Sequence, residues 1–208
     1  MHIKYTYIDA KTNIPASQAP MKHGPKVPDV AGLVFGFAEE SKYPTEAPTF
    51  YGTCPDDADT SKPGVLAVIT EDEYQQALAT ELDARKQIAR RNVDVIRDRH
   101  LFKDSIPYTF PGDTEPDGVQ LRDERDRQNI QDNMIDAQNL APDTMMHFMP
   151  VSNNVKAMTA AQMLDMGAFL KSRGDTIYSA AWTKKGQVNA AETFDALKAL
   201  DLQADWPE

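Results

Sequence analysis

The sequence predicts an α+β protein: a small proline-rich β unit, then one long helix, then a compact α+β region. Three observations predict it. Eight of the 14 prolines fall between Pro15 and Pro63, and none between Gly64 and Ile106. Proline lacks a backbone donor and fixes φ, so the first segment is unfit for a helical bundle. From Glu71 to His100 the chain has neither proline nor glycine, and from Gly118 onward strand-like and helix-like patterns alternate. The boundaries that follow are 1–70 for a β and loop docking unit, 71–102 for the helix and 103–208 for the C-terminal domain.

Taken in order, Met1–Ile8 alternates Ile3, Tyr5 and Tyr7 with Lys4 and Thr6, the period-2 pattern of a half-buried strand. Pro15–Pro28 reads as an extended connector. Val30–Ala38 is an apolar run interrupted by Gly32 and Gly36, a strand with bends. Pro48–Gly52 is short and aromatic. Ser61-Lys-Pro-Gly marks a turn, and Val65–Ile69 follows as a strand. Thr70 with Glu73 then forms a capping-box signature for a helix over Glu71–His100. Acids in the first turn and Arg97, Arg99 and His100 in the last suit the helix dipole. At 1.5 Å per residue such a helix spans roughly 45 Å.

Beyond it, Ser105–Phe110 and Gly118–Leu121 read as strands around the turn cluster Pro111–Asp117. Asp123–Leu140 reads as a polar helix with a thin stripe of Ile130, Met134, Ile135 and Ala137. Thr144–Val151 and Asn154–Met158 bracket a hairpin turn at Ser152-Asn153-Asn154. Thr159 with Gln162 is a second capping box. The helix it opens is expected to reach Trp182 or Lys185 unless it breaks at Gly174, with Gly186 in the C′ position. Asn189 with Glu192 is expected to cap a last short helix ending at Leu200, and Trp182 and Trp206 to anchor the C-terminal packing.

The long helix carries an apolar stripe of Tyr74, Leu78, Leu82, Ile88, Ala89, Val95 and Ile96, with Arg85 and Asn92 on the same face. Two readings stay open: the stripe packs within its own chain, or it packs against further copies. Polar residues at such positions set register and oligomer number. The candidate oligomer-interface residues are therefore Leu78, Leu82, Arg85, Ile88, Asn92, Val95 and Ile96.

Composition bounds the function classes. An apolar fraction of 41% is enough for a core. A net charge of −10 disfavours nucleic acid, whose phosphates need clustered cations. No apolar run approaches a membrane span, and the N-terminus has no signal-peptide pattern, so a protein made in the cytosol, without membrane insertion, is expected. The lone Cys54 cannot form a disulfide within its own chain or build a zinc site alone, and the acids after it disfavour a thiolate. Asp56, Asp57 and Asp59 lack the spacing of a calcium loop, and Asp113, Glu115 and Asp117 alternate within a proline-bounded turn. His2, His23, His100 and His147 are too dispersed for a metal pair on one helix. Seven of the nine methionines lie between Met134 and Met166, as core filler or as an adaptable interface. No catalytic, cofactor or metal residues are assigned, no cofactor is expected, and the chain reads as non-enzymatic.

The Gly118-Val-Gln-Leu strand leads into a polar helix. The Asn153-Asn154 turn precedes Met158-Thr159, the next helix runs through Met163, Leu164 and Phe169, and Leu197–Pro207 closes the chain. This layout resembles a domain of unknown function found in tailed-bacteriophage tail proteins and in prophages. Where that family carries an aromatic residue ahead of its central helix, this chain has Met145, Met146 and Phe148. The resemblance implies a structural or attachment role in a virion tail, near fibres or baseplates, with other tail proteins and further copies of the chain as partners. Two other readings remain at this point: a tail-fibre assembly chaperone that leaves before the particle matures, and a hydrolase acting on host glycans.

Overall fold

The computed structural model describes residues 1–16, 18, 21–39 and 48–207. Among these the chain is α+β, as its patterning predicts. Part of the expected connector, Ser17, Ala19 and Pro20, lies outside the described residues. The chain divides into two compact units, Met1–Ile88 and Ala89–Glu208, and the division falls inside the long helix.

The first unit contains β1 (His2–Tyr5), β2 (Ile8–Asp9), β3 (Pro25–Lys26), β4 (Val34–Ala38), β5 (Phe50–Thr53) and β6 (Val65–Ile69). Four of them form an antiparallel sheet in the order β4-β5-β1-β6, with Ile3 opposite both Gly52 and Val68. Alternation puts Ile3 and Tyr5 on one buried face, where they pack with Val30, Ala38, Phe50 and Cys54. The Tyr5 and Phe50 rings stack at 5.5 Å. On the other face, Tyr74 from helix α1 (Glu71–Leu101) meets the rings of His2, Phe37 and Tyr51. The start of α1 is fixed as expected: the Thr70 amide donates to Glu73 Oε2 at 2.7 Å and the Glu73 amide to Thr70 Oγ1 at 3.2 Å.

The second unit takes in the last turns of α1, then β7 (Lys103–Tyr108), β8 (Asp117–Leu121), α2 (Glu124–Gln138), β9 (Met145–Phe148), β10 (Lys156–Thr159), α3 (Ala160–Ala190) and α4 (Phe194–Lys198). The strands make two antiparallel hairpins, β7–β8 and β9–β10. Asp123 caps α2 by accepting from the amides of Arg125 and Asp126. Phe110, Val119, Ile130, Ala137, Phe148, Met158, Met163 and Met166 form the core between hairpins and helices. Met158, Met163 and Met166 are fully buried, whereas Met145 and Met149 are exposed, so the methionine-rich stretch serves mainly as filler.

Four expectations for this unit are corrected. The expected end ahead of Gly186 fails, and the break left open at Gly174 does not occur, because α3 passes through both glycines and ends at Ala190. Its inward positions Ile177, Ala181, Lys184 and Val188 keep helical period beyond both glycines. That packing outweighs the roughly 1 kcal/mol each glycine costs. Asn189 therefore lies inside α3, and Thr193, not Asn189, caps the last helix by accepting from the Ala196 amide. The hairpin turn is longer than expected, since Phe148 pairs with Lys156 and residues 149–155 all belong to the connection. Trp182 does not anchor the C-terminal packing: it is 70% exposed, one position past the inward Ala181 and so turned about 100° away from that face.

The end of α1 runs antiparallel to α3. Arg90 donates to Asn189 at 2.6 Å, Lys185 pairs with Asp94 at 2.7 Å, Arg97 lies over the Tyr178 ring, and Arg173 donates to the His100 and Leu101 carbonyls. Val93 and Ile96 are buried on this side of α1, and the stripe read from the sequence omits Val93.

Candidate functional site

The second unit holds an apolar cleft of about 550 Å³. Its floor comes from four elements: Leu101 at the end of α1 with Phe102 after it, Leu121 of β8, Ile130 and Met134 of α2, and Leu170 of α3. The depth has a sequence cause. Gly167 and Gly174 lie seven residues apart on α3 and both line the cleft. A Cβ on Gly167 would stand 2.3 Å from the Met134 sulfur, so α2 reaches the α3 backbone only because that Cβ is missing. At Gly174 the nearest atom is Leu101 Cδ2 at 4.0 Å, which leaves open space above the helix backbone.

The rim is charged but neutralised pairwise. Arg127 pairs with Glu124, Lys171 with Asp175 at 2.5 Å, and Asp98 with Arg97 at 2.7 Å. The Glu124 carboxylate raises the Arg127 pKa, as a direct partner does. Tyr178 closes one end of the rim, and the exposed Trp182 ring follows at 6.3 Å from it. The cleft thus offers apolar volume, an exposed Tyr–Trp pair and no unpaired charge among these rim residues. Such a surface takes up apolar side chains, and Trp and Tyr are the residues on which interface energy concentrates.

The first unit has a smaller aromatic hollow lined by Tyr5, Tyr7, Val27, Leu33, Phe35, Ala38 and Phe50. Burial raises the Tyr5 pKa, with Tyr7 adding to it.

The seven interface candidates fall into two groups. Ile88, Asn92 and Val95 form an outward row; Ile88 is 42% and Val95 50% exposed. Leu78 and Leu82 are half-buried, Ile96 is only 4% exposed, and Arg85 binds Glu81 at 2.9 Å and the Ala38 carbonyl at 2.8 Å within its own unit.

Four of the six loop acids have partners within the chain. Asp56 binds the N-terminal ammonium at 2.7 Å. Asp59 accepts from Ser61 and pairs with Lys62, which lowers its pKa to about 2. Asp113 pairs with Lys156 at 2.7 Å, and Asp117 accepts from Ser152 at 2.5 Å. Among the described residues no group of three or more His, Cys, Asp or Glu is placed to hold a metal ion. Cys54 is buried.

Sequence reasoning missed four buried polar residues, Thr6, Asp9, Glu81 and Lys184. Asp9 accepts from the amides of Lys11, Thr12, Lys22 and His23 and from the His23 ring, tying together the loop on either side of Pro15. The Thr12 amide, then those of His23 and Lys11, hold its carboxyl well below the usual carboxylate range. Its signal was the Asp-x-x-x-Asn turn chemistry of 9–13, with Asn13 at a φ of 56°. Lys184 is buried on α3, donates to the Asp201 carbonyl at 3.3 Å and lies over the Trp206 ring at 5.7 Å.

These elements define a helix-and-hairpin α+β domain with an apolar cleft. Residues 74–204 match a family described as a domain of unknown function, DUF4376, and the chain belongs to that family. The match begins within α1, well before the segment whose layout carries the resemblance drawn from sequence. No curated protein and no solved structure is detectably similar to the chain. Among the described residues no helix is long and apolar enough to cross a membrane.

Proposed function

We propose that the chain is a non-enzymatic structural component of a bacteriophage tail that joins or decorates fibre or baseplate parts. The observation that carries this reading is the exposed Trp182 ring beside Tyr178, a residue that lines an apolar cleft. A soluble protein that leaves a tryptophan 70% exposed beside unfilled apolar volume has a surface suited to a protein partner. The tail setting rests on the layout of the C-terminal region and its resemblance to domains of tail proteins. In this reading the chain is made in the host cytoplasm and ends in the virion, bound to other tail proteins. The outward row Ile88, Asn92 and Val95 meets a second copy.

The test is the protein composition of density-purified particles from the phage or prophage that encodes the chain, before and after separation of tails from heads. The chain is expected in a fixed ratio to the tail proteins and in the tail fraction. Its absence from particles whose assembly nevertheless requires it would replace this reading with that of an assembly chaperone. Turnover of host-surface glycan abolished by one acidic substitution would replace it with a hydrolase.

A further inference from the structure

Trp206 of the segment that follows α4 is held by His100, the next-to-last residue of α1. The two rings stack at 5.2 Å with 9° between their planes. Trp206 is also fixed from its own side, its Nε1 donating to the Leu202 carbonyl at 2.8 Å. The Pro207 carbonyl lies within hydrogen-bonding reach of the His100 ring. His100 Nδ1 is buried and has no hydrogen-bond partner. A neutral ring that carries its proton on Nε2 leaves no unpaired donor at the buried Nδ1.

Cations surround this contact. Arg173 of α3 donates to the His100 carbonyl itself and to that of Leu101 at 3.2 Å. Lys103 of β7 acts on the ring through space. Lys184 of α3 lies over the other partner of the stack, Trp206. On its own helix, Arg99 is adjacent and Asp98 is engaged by Arg97. On the C-terminal segment the Asp201 carboxylate accepts from the Gln203 and Ala204 amides.

We propose that the stack of Trp206 on His100 is a proton-operated latch, closed when His100 is neutral and released when it is protonated. Protonation places a donor on the buried Nδ1, which has no acceptor, and adds a positive charge beside Arg173 and Lys103. An unsatisfied buried donor and like charges at close range both disfavour the closed form. Burial, then Lys103 and Arg173, lower the His100 pKa in the closed state. The open state binds the proton more readily, so the latch is intact above the ordinary histidine value of about 6.5. It weakens as pH falls from there toward the lower, closed-state value. What opens is the segment after α4, which exposes Trp206 and Pro207.

The test uses the full chain carrying Trp182→Phe, which leaves Trp206 as the only tryptophan. Its emission maximum and acrylamide quenching are followed from pH 8 to pH 5, with far-ultraviolet circular dichroism alongside. The expected result is a red shift and a rise in quenching with a midpoint below about 6.5, at unchanged helix content. His100→Phe keeps a ring for the stack but cannot titrate, so Trp206 should stay protected across the range. His100→Gln should lose the transition as well, and His147→Gln should keep it. Constant emission down to pH 5 would overturn the latch. So would a transition that persists in His100→Phe, or one that coincides with loss of helix.

Discussion

α1 and α3 are each 31 residues long, and each begins on a Thr-x-x-Glu or Thr-x-x-Gln capping box. They diverge from there. α1 has acids in its first turn, basic residues in its last and no glycine, so local signals alone fix both of its ends. α3 has no charge bias at either end and three interior glycines, Gly167, Gly174 and Gly186, the last of which local rules read as a stop. It continues because Ile177, Ala181 and Val188 are buried along the stretch of α3 that pairs with the end of α1. One helix is specified by its own residues, the other by what it packs on. The second kind is also the one that builds a cleft, since its glycines remove side-chain volume where a neighbour or a partner must come close.

The comparison breaks most visibly in the interior of α3. Ile177→Ala should cost about 2–5 kcal/mol in denaturant unfolding, with the second unit losing its transition first. If α3 were held by local propensity, the cost would stay well below this. The two cleft glycines come next and should move in opposite directions. Gly167→Ala forces Met134 away and should destabilise by about 1–3 kcal/mol. Gly174→Ala meets only Leu101 at 4.0 Å and should stabilise by about 0.5–1 kcal/mol. Equal effects at the two positions would contradict the account of how the cleft is made.

The capping boxes should be nearly interchangeable. Thr70→Ala and Thr159→Ala should each cost about 1 kcal/mol, read from urea midpoints at constant m. The smallest effect on stability belongs to the outward row of α1. Val95→Asp should change it by less than about 0.5 kcal/mol, yet light scattering should show the parent chain as an oligomer and the variant as a monomer. A monomeric parent at high concentration would remove the self-association part of the proposal.

Much of this fold was legible in the sequence. Val65–Ile69 and Glu71 as the first helical residue are read from the sequence without error, because a turn, an apolar run and a capping box adjoin with no conflict. The last third was less legible. Gly186 looks like a C′ residue only to a rule blind to Val188, whose burial extends the helix beyond it. Trp182 looks like an anchor because tryptophan usually is one, and its exposure depends on a rotation of about 100° from Ala181 that composition does not reveal. The cleft itself was not legible, since its lining comes from four elements that only the fold brings together. Its one local trace was the Gly167–Gly174 spacing, and at Gly174 the sequence left a helix break open. The Asp9 loop lock was missed because its donors, Thr12 and His23, are ordinary loop residues until the chain folds back.

The central claim is that the Tyr178–Trp182 surface docks the chain into a virion tail. The most direct measurement is the amount of chain in purified particles when the encoding phage carries Trp182→Lys, compared with the unaltered sequence at equal cellular expression. Removing a Trp anchor costs at least about 2 kcal/mol, or roughly a 30-fold loss of affinity. The account therefore predicts that the unaltered chain is present in the tail and the variant is strongly depleted while still folded. Equal incorporation of both, or absence of both from the particle, would contradict it.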